Sequence, residues 1–287
     1  MWDDGPNTCG NPCPVVERET GAILLLMTHN LGTDREAQIV AQTSKAPRTV
    51  WLSRSADDGR TWSPPQEITN DVKKPDWTWY ATGPGAGIQL KSGRLVVPCD
   101  HTEAGTKVMH SHVIYSDDRG ATWKLGGSAG AGTNECEVVE RADGSLLLNM
   151  RNYIRKHQCR ATAASKDGGL TWSEVAYDEA LFEPVCQASI RRYSLAKDAG
   201  RNRILFSNPA STSKREKMTV RLSYDEGKTW PAGKLLHAGP AAYSCLAVRA
   251  DGTILCLYER GEKHPYEKIT LARFSLEWLS DGEDAGK

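Results

Sequence analysis

The sequence has no excess charge of either sign: 36 Lys and Arg stand against 36 Asp and Glu in 287 residues, for a formal net charge of zero. This argues against the broad basic field by which proteins hold nucleic acid or an anionic membrane. A few arginines gathered around a small anion would not register in that total. No run approaches the roughly 18 apolar residues of a membrane-crossing helix, so no span is expected. The opening residues, "MWDDGPNTCGNPCP", offer neither the basic start nor the apolar core of a signal peptide. The eight cysteines include no Cys-x-x-Cys, and no clustered His accompanies their one close couple, Cys9 and Cys13, so no metal or other cofactor is expected. Several lie in apolar runs such as "TILCLYE", which suits buried free thiols. Helical periodicity longer than two turns is missing as well.

What is present is a repeat. Four octamers share Ser-x-Asp-x-Gly-x-Thr-Trp: "SADDGRTW" from Ser55, "SDDRGATW" from Ser116, "SKDGGLTW" from Ser165 and "SYDEGKTW" from Ser223, starting 61, 49 and 58 residues apart. That period suits four-stranded propeller blades with loops of unequal length. The octamer itself has the chemistry of a turn. Asp folds its carboxylate onto nearby backbone N–H groups, Gly permits positive φ, and Trp offers a large apolar face to bury between sheets. These acids are therefore read as structural and not as calcium ligands.

Between the octamers lie five turn-plus-strand segments: "ERETGAILLLM", "QLKSGRLVVP", "ERADGSLLLNM", "LAKDAGRNRILFS" and "VRADGTILCLY". Each places Gly in a short polar turn before an apolar run, the mark of a hairpin. The order within a repeat is hairpin, strand, octamer, strand, which predicts an all-β propeller. Five hairpins stand against four octamers, and "KITLARFSLEWL" closes the chain as a strand with no octamer after it.

The octamer pattern resembles the Asp box of the sialidases (neuraminidases), whose propellers have six blades. "DWTWYATGPGAGIQL", "TNECEVVERADGSLLLNMR", "ILFSNPASTSKREKMTVRLSYDEGKTWP" and "GPAAYSCLAVRADGTILCLYE" also resemble bacterial exo-α-sialidase segments, in the family's order and over nearly the whole chain. The resemblance implies roles residue by residue. Tyr243 in "GPAAYS" matches the nucleophile and Glu135 the glutamate that activates it. Arg151, 16 residues after Glu135, and Arg215 in "KREK" match two of the three arginines that grip the substrate carboxylate. Glu259 in "CLYERG" matches the glutamate that orients the remaining arginine. Asn11 lies where family members place a polar sugar contact.

These residue types suit the implied chemistry. Sialic acid carries its carboxylate on the reacting anomeric carbon, and planar guanidinium groups bind that carboxylate bidentately without losing charge. A neutral Tyr approaches such an anionic centre without the repulsion an Asp or Glu would meet, and sialidases are the known Tyr exception among retaining glycosidases. A phenol of ordinary pKa, about 10, needs a neighbouring base at neutral pH. Plainer readings exist for every one of these residues. Tyr243 could be a half-buried loop residue, Arg215 part of a solvated charge run, and Glu137 and Glu140 rival Glu135 on the same strand. Trp77 and Trp79 either line the pocket or pack between blades.

The sequence departs from the family pattern in one respect. It has no Phe/Tyr-Arg-Ile-Pro segment, which supplies the first arginine, and no aspartate about two dozen residues after one, which supplies the general acid. Both precede the family's first Asp box, and "ERETGAI" aligns with the segment after that box. Asp34 in "NLGTDREAQ" is read as a loop or pocket-rim residue and not as the acid. The expectation is a single domain over 1–287, a six-bladed propeller of the sialidase type whose first blade is largely missing. Its expected function is retaining exo-α-sialidase activity on sialylated glycans, weakened or lost without the acid. The alternative is a sialoside-binding or scaffold propeller. A monomer is expected. Localisation stays open, because a lost N-terminal part could have carried a signal for secretion or periplasmic export.

Overall fold

The computed structural model describes residues 2–286 and is all-β, propeller-like in its antiparallel meanders. The first sheet is β1 (Thr8–Val16), β2 (Ile23–Asn30), β3 (Thr49–Ser55) and β4 (Gln66–Glu67), paired in sequence order. The second is built from β5 (Trp77–Thr82), β6 (Ile88–Gln89), β7 (Leu95–Glu103), β8 (Met109–Ser116) and β9 (Lys124–Ala131). In it β5 and β6 both pair with β7. The third holds β10 (Thr133–Glu140), β11 (Leu146–Asn152), β12 (Cys159–Ser165) and β13 (Ala176–Phe182). The fourth has six strands: β14 (Ser189–Ser194), β15 (Arg203–Pro209), β16 (Glu216–Ser223), β17 (Ala232–Val248), β18 (Ile254–Arg260) and β19 (Lys268–Phe274). The helices are single turns of four or five residues.

The six-stranded sheet is two meanders sharing one strand. The 17-residue β17 pairs with β16 as far as Pro240 and with β18 from Ala241 onward. Counted this way the described residues form five meanders, one for each hairpin expected from the sequence. All five turns form where expected, between β1 and β2, β6 and β7, β10 and β11, β14 and β15, and β17 and β18. The fifth meander is three-stranded, and Leu257, Ile269 and Leu271 stand exposed on one of its faces.

Each octamer begins on the last residue of the third strand of its meander, at Ser55, Ser116, Ser165 and Ser223. In the first, Asp57 Oδ1 accepts from Ser55 Oγ at 2.9 Å and Thr61 N at 2.8 Å, its Oδ2 accepts from Thr61 Oγ1 at 2.6 Å, and Ser55 Oγ accepts from Gly59 N at 2.8 Å. The other three repeat this wiring. Hydrogen bonds from Thr122 hold Asp118 down at about 2. The Trp differs from expectation: only Trp123 is buried, and Trp62, Trp172 and Trp230 are half-buried. Trp62 instead folds back on its own turn, its Nε1 donating to Gly59 O at 2.9 Å.

The chain divides into two compact units, 1–138 with 163–175, and 139–162 with 176–287. In the first, Leu24, Leu26, Val50, Leu52, Leu95, Val97 and Ile114 pack with Trp77, Tyr80 and Trp123. The second has one core around Leu205, Met218, Val220, Leu246 and Ile254 and another around Leu147, Ile190, Ile204 and Phe206. Six of the eight cysteines are buried.

Candidate active site

Antiparallel order sorts the strand ends. In each meander the start of the first strand, the end of the second and the loop between second and third share one end, and the octamer turns lie at the other. Every candidate residue lies at the end away from the octamers. Asn11, Glu135 and Tyr243 sit near starts, Arg151 and Glu259 near ends of second strands, and Arg215 in the loop between β15 and β16. The octamers' acids therefore play no part in the site.

The second unit gathers four of these residues. Tyr243 occupies a bulge in β17, where Ala242 and Tyr243 together face the single Glu259 of β18. Bulges re-aim side chains and free backbone groups from the ladder. Here the freed Tyr243 N–H donates to Glu259 Oε2 at 3.1 Å. The next residue is clamped: Ser244 N donates to Gln187 Oε1 at 3.0 Å, Gln187 Nε2 to Ser244 O at 3.0 Å, and Ser244 Oγ lies 2.8 Å from Ser207 Oγ. The phenol thus projects from a backbone fixed on both sides.

Two guanidinium groups face that phenol. Arg151 Nη1 donates to Tyr243 Oη at 3.4 Å, and Arg151 Cζ lies 4.9 Å from the Tyr153 ring centroid. Arg215 Cζ is 5.8 Å from the Tyr243 ring centroid, and its Nη2 donates to Val185 O at 3.2 Å. Its Nη1 donates to Tyr266 Oη. The Arg215 backbone is fixed by Ala241 N, which donates to Arg215 O at 2.9 Å. Burial pushes the Arg215 pKa down, but the Cys186 and Tyr266 side chains lead an opposing effect that holds it above its ordinary value.

Behind these groups lies a buried ion pair that the sequence did not reveal. Arg160 Nη1 meets Glu183 Oε2 at 2.5 Å, with exposures of 0% and 2%. Arg160 also donates to Asn149 Oδ1 at 2.7 Å and Cys186 O at 2.6 Å, while Glu183 Oε1 accepts from Asn152 N at 2.7 Å. The pair anchors the 183–187 loop, which presents Val185 O to Arg215 and Gln187 to Ser244. Val185 holds φ at +56°, a conformation that costs a β-branched residue energy, so the anchor works against local preference. No spacing rule links Arg160 to Glu183. Tyr153 and Tyr266, also missed, follow Arg151 by two residues and lie in the polar "KHPYEK", patterns with no distinguishing signal.

The first unit holds the other two candidates. Glu135 is buried near the start of β10, at 7% exposure. Its neighbour Asn134 donates to buried Asp100 Oδ1 at 2.8 Å. Its rival Glu137 has a structural role, accepting from Ala86 N at 3.1 Å against Gly85, where a side chain would collide with it. Glu140 is half-buried. Asn11 lies in a bulge of β1 at φ +51°, a value Asn tolerates. Its Oδ1 accepts from Thr28 Oγ1 at 3.2 Å and from the buried Arg48, which also donates to Tyr80 O at 2.6 Å. Burial lowers Arg48 to about 10. Asp34 caps a turn, accepting from Lys45 N and Ala46 N at 3.2 and 3.0 Å, in agreement with a loop role. Trp77 stacks on His101 at 3.4 Å, and Trp79 lies half-buried with Arg48 Cζ 4.0 Å from its ring centroid.

Antiparallel meanders joined by self-wired Asp turns, with two arginines around one tyrosine, define a BNR-type protein, and the BNR repeat-like domain family matches residues 2–256. The chain is 36% identical over 270 residues to a sialidase of Bacteroides fragilis (strain YCH46), covering 91% of this chain and 49% of that protein. It is 31% identical over 307 residues to an exo-alpha-sialidase of Aspergillus fumigatus, covering 97% and 70%. Among solved structures it superposes on the Hadza microbial sialidase Hz136 with a TM-score of 0.85 at 34% identity, covering 96% of this chain and 54% of that one. The chain belongs to the sialidase family. It spans about half the length of the Bacteroides relative.

Proposed function

We propose that this chain is the catalytic propeller of a retaining exo-α-sialidase acting on sialylated glycans. The observation that carries the proposal is the phenol of Tyr243, set in a bulge with the Arg151 guanidinium donating to its oxygen and the Arg215 guanidinium over its ring. Arg151 and Arg215 bind the substrate carboxylate and place positive charge beside the oxygen where phenolate forms. Tyr243 Oη attacks the anomeric carbon, its proton passes to Glu135, and the bond to the leaving oxygen breaks. Water then attacks the glycosyl–Tyr243 intermediate and returns the phenol, with overall retention. The role of Glu135 rests on the family pattern and on its burial at the matching strand end. Glu259 positions the Tyr243 backbone and, in the family pattern, the remaining arginine.

We further propose that the five meanders are consecutive blades of one six-bladed propeller. The sixth would carry the Arg-Ile-Pro arginine and the acid that protonates the leaving oxygen, a motif absent from residues 1–287. The bare Leu257, Ile269 and Leu271 face supports this, since propeller blades pack face to face. The test is turnover of a fluorogenic sialoside by the 287-residue chain, together with binding of the dehydrated sialic acid analogue. Strongly reduced turnover is expected, with analogue binding that depends on Arg151 and Arg215. Ordinary turnover would refute the need for a further blade. Analogue binding indifferent to both arginines would refute the site.

A further inference from the structure

The first unit contains a cavity of about 500 Å³ that none of the residues discussed as catalytic lines. It lies between the loop joining β2 to β3 and the segment joining β4 to β5, at the strand ends away from the octamers. Its lining includes Lys45, Lys73 and Lys74, with Gln42, Asn70 and Trp77, and no Asp or Glu. Among the described residues none of the three lysines makes an ion pair with a carboxylate. Lys73 is the sharpest case. It is half-buried, its Nζ donates to Arg48 O at 2.6 Å and to Thr78 O at 3.1 Å, and one ammonium N–H is left over. Burial and the nearby Arg48 lower it to about 8, the response of a cation that lacks an anion. Asp34, buried in the same loop, accepts from the Lys45 and Ala46 N–H groups and so fixes the loop without lining the cavity.

We propose that this cavity binds an acidic sugar residue, one carrying a carboxylate or sulfate, as a glycan site that shares no lining residue with the group around Tyr243. Three unneutralised ammonium groups select a negative group. The amides of Gln42 and Asn70 and the hydroxyls of Ser44, Thr69 and Thr78 suit a hydroxylated ring. The volume falls within the range of small-ligand pockets, about 300–1,000 Å³. A neutral sugar would leave the cations unpaired and gain little.

The test is equilibrium binding by ligand-observed NMR and calorimetry with three disaccharides of like size: one containing glucuronate, one sulfated and one neutral. The probes are offered to the wild-type chain, to the exposed-site variant Lys45→Glu/Lys74→Glu and to Arg151→Ala/Arg215→Ala. Binding of either or both acidic probes is expected, weakening with added salt, and the neutral probe is expected not to bind. The lysine variant should bind about tenfold or more weakly, since two exposed attractions become repulsions. Arg151→Ala/Arg215→Ala, which removes the cations proposed to hold a carboxylate beside Tyr243, should bind the acidic probes like wild type, which separates this site from the hydrolytic reading. Which acidic probe binds tells carboxylate from sulfate recognition. Equal binding of the neutral probe, no binding of either acidic one, or affinity unchanged in the lysine variant overturns the proposal.

Discussion

Replacing Glu183 by Gln isolates the part played by the buried ion pair behind the site. The substitution keeps size and one carbonyl oxygen but leaves the Arg160 guanidinium charged and without its counter-ion in a fully buried setting. Breaking such a pair costs about 3–5 kcal/mol. The lower end applies here, because Asn149 Oδ1 and Cys186 O still accept from Arg160. With a urea m-value of about 3 kcal/mol/M for a chain of this size, the unfolding midpoint falls by about 1 M. The loss extends to the site, because the 183–187 loop carries Val185 O on Arg215 and Gln187 on Ser244. Weakening one charge-assisted hydrogen bond through a loosened loop costs about 1.4 kcal/mol, a tenfold loss of affinity for a carboxylate-bearing sialic acid analogue. The apolar pair Arg160→Met/Glu183→Leu should be more stable than Glu183→Gln alone, since it leaves no orphan charge. Urea melts followed by tryptophan fluorescence, with analogue titrations, measure both effects. A wild-type midpoint for Glu183→Gln, or a double variant less stable than the single, refutes the reasoning.

Three further outcomes rest on the geometry. His101 is pushed down to about 3 and His112 well below its usual value, each chiefly by burial. Unfolded imidazoles take up protons near pH 6.5 while the folded ones stay neutral. The unfolded state therefore binds more protons between about pH 6.5 and 3, and stability falls as pH drops through that window. The urea midpoint should be lower at pH 4.5 than at pH 7, and less so in His101→Gln; a flat profile contradicts this. Gly85→Ala would place a Cβ 2.1 Å from Glu137 Oε1 at φ +147°, so thermal denaturation should show a loss of about 1–3 kcal/mol. Arg215→Lys retains charge but cannot reach both Val185 O and a substrate carboxylate with a planar fork, so it should weaken analogue binding about tenfold, measured by titration; unchanged affinity removes Arg215 from the site.

What could be read from the sequence was local or shared with relatives. The octamers and the five hairpins were legible because each turn satisfies itself within eight residues, as the Ser55 to Thr61 hydrogen bonds show. That Tyr243, Arg151 and Arg215 come together was anticipated only through the family pattern, since nothing in "KREK" marks Arg215 as different from its neighbours. The Arg160–Glu183 pair, the Arg48 cradle and the clamp of Gln187 on Ser244 were not legible. Each joins residues whose spacing is set by sheet packing and not by a local motif. The double use of β17 was hidden for a related reason: "AGKLLHAGPAAYSCLAV" has no turn that would announce it, and Gly-Pro in its middle reads as a loop.

That undivided strand restricts where the chain tolerates an insertion. Side chains alternate along a strand with a period of two, so one residue added between Pro240 and Ala241 would slip the following segment and turn Tyr243 toward the opposite face. The same addition in the 249–253 turn would be absorbed without moving the phenol. Loop grafting could vary the surroundings of the tyrosine, but its own address is written into the register of two meanders at once.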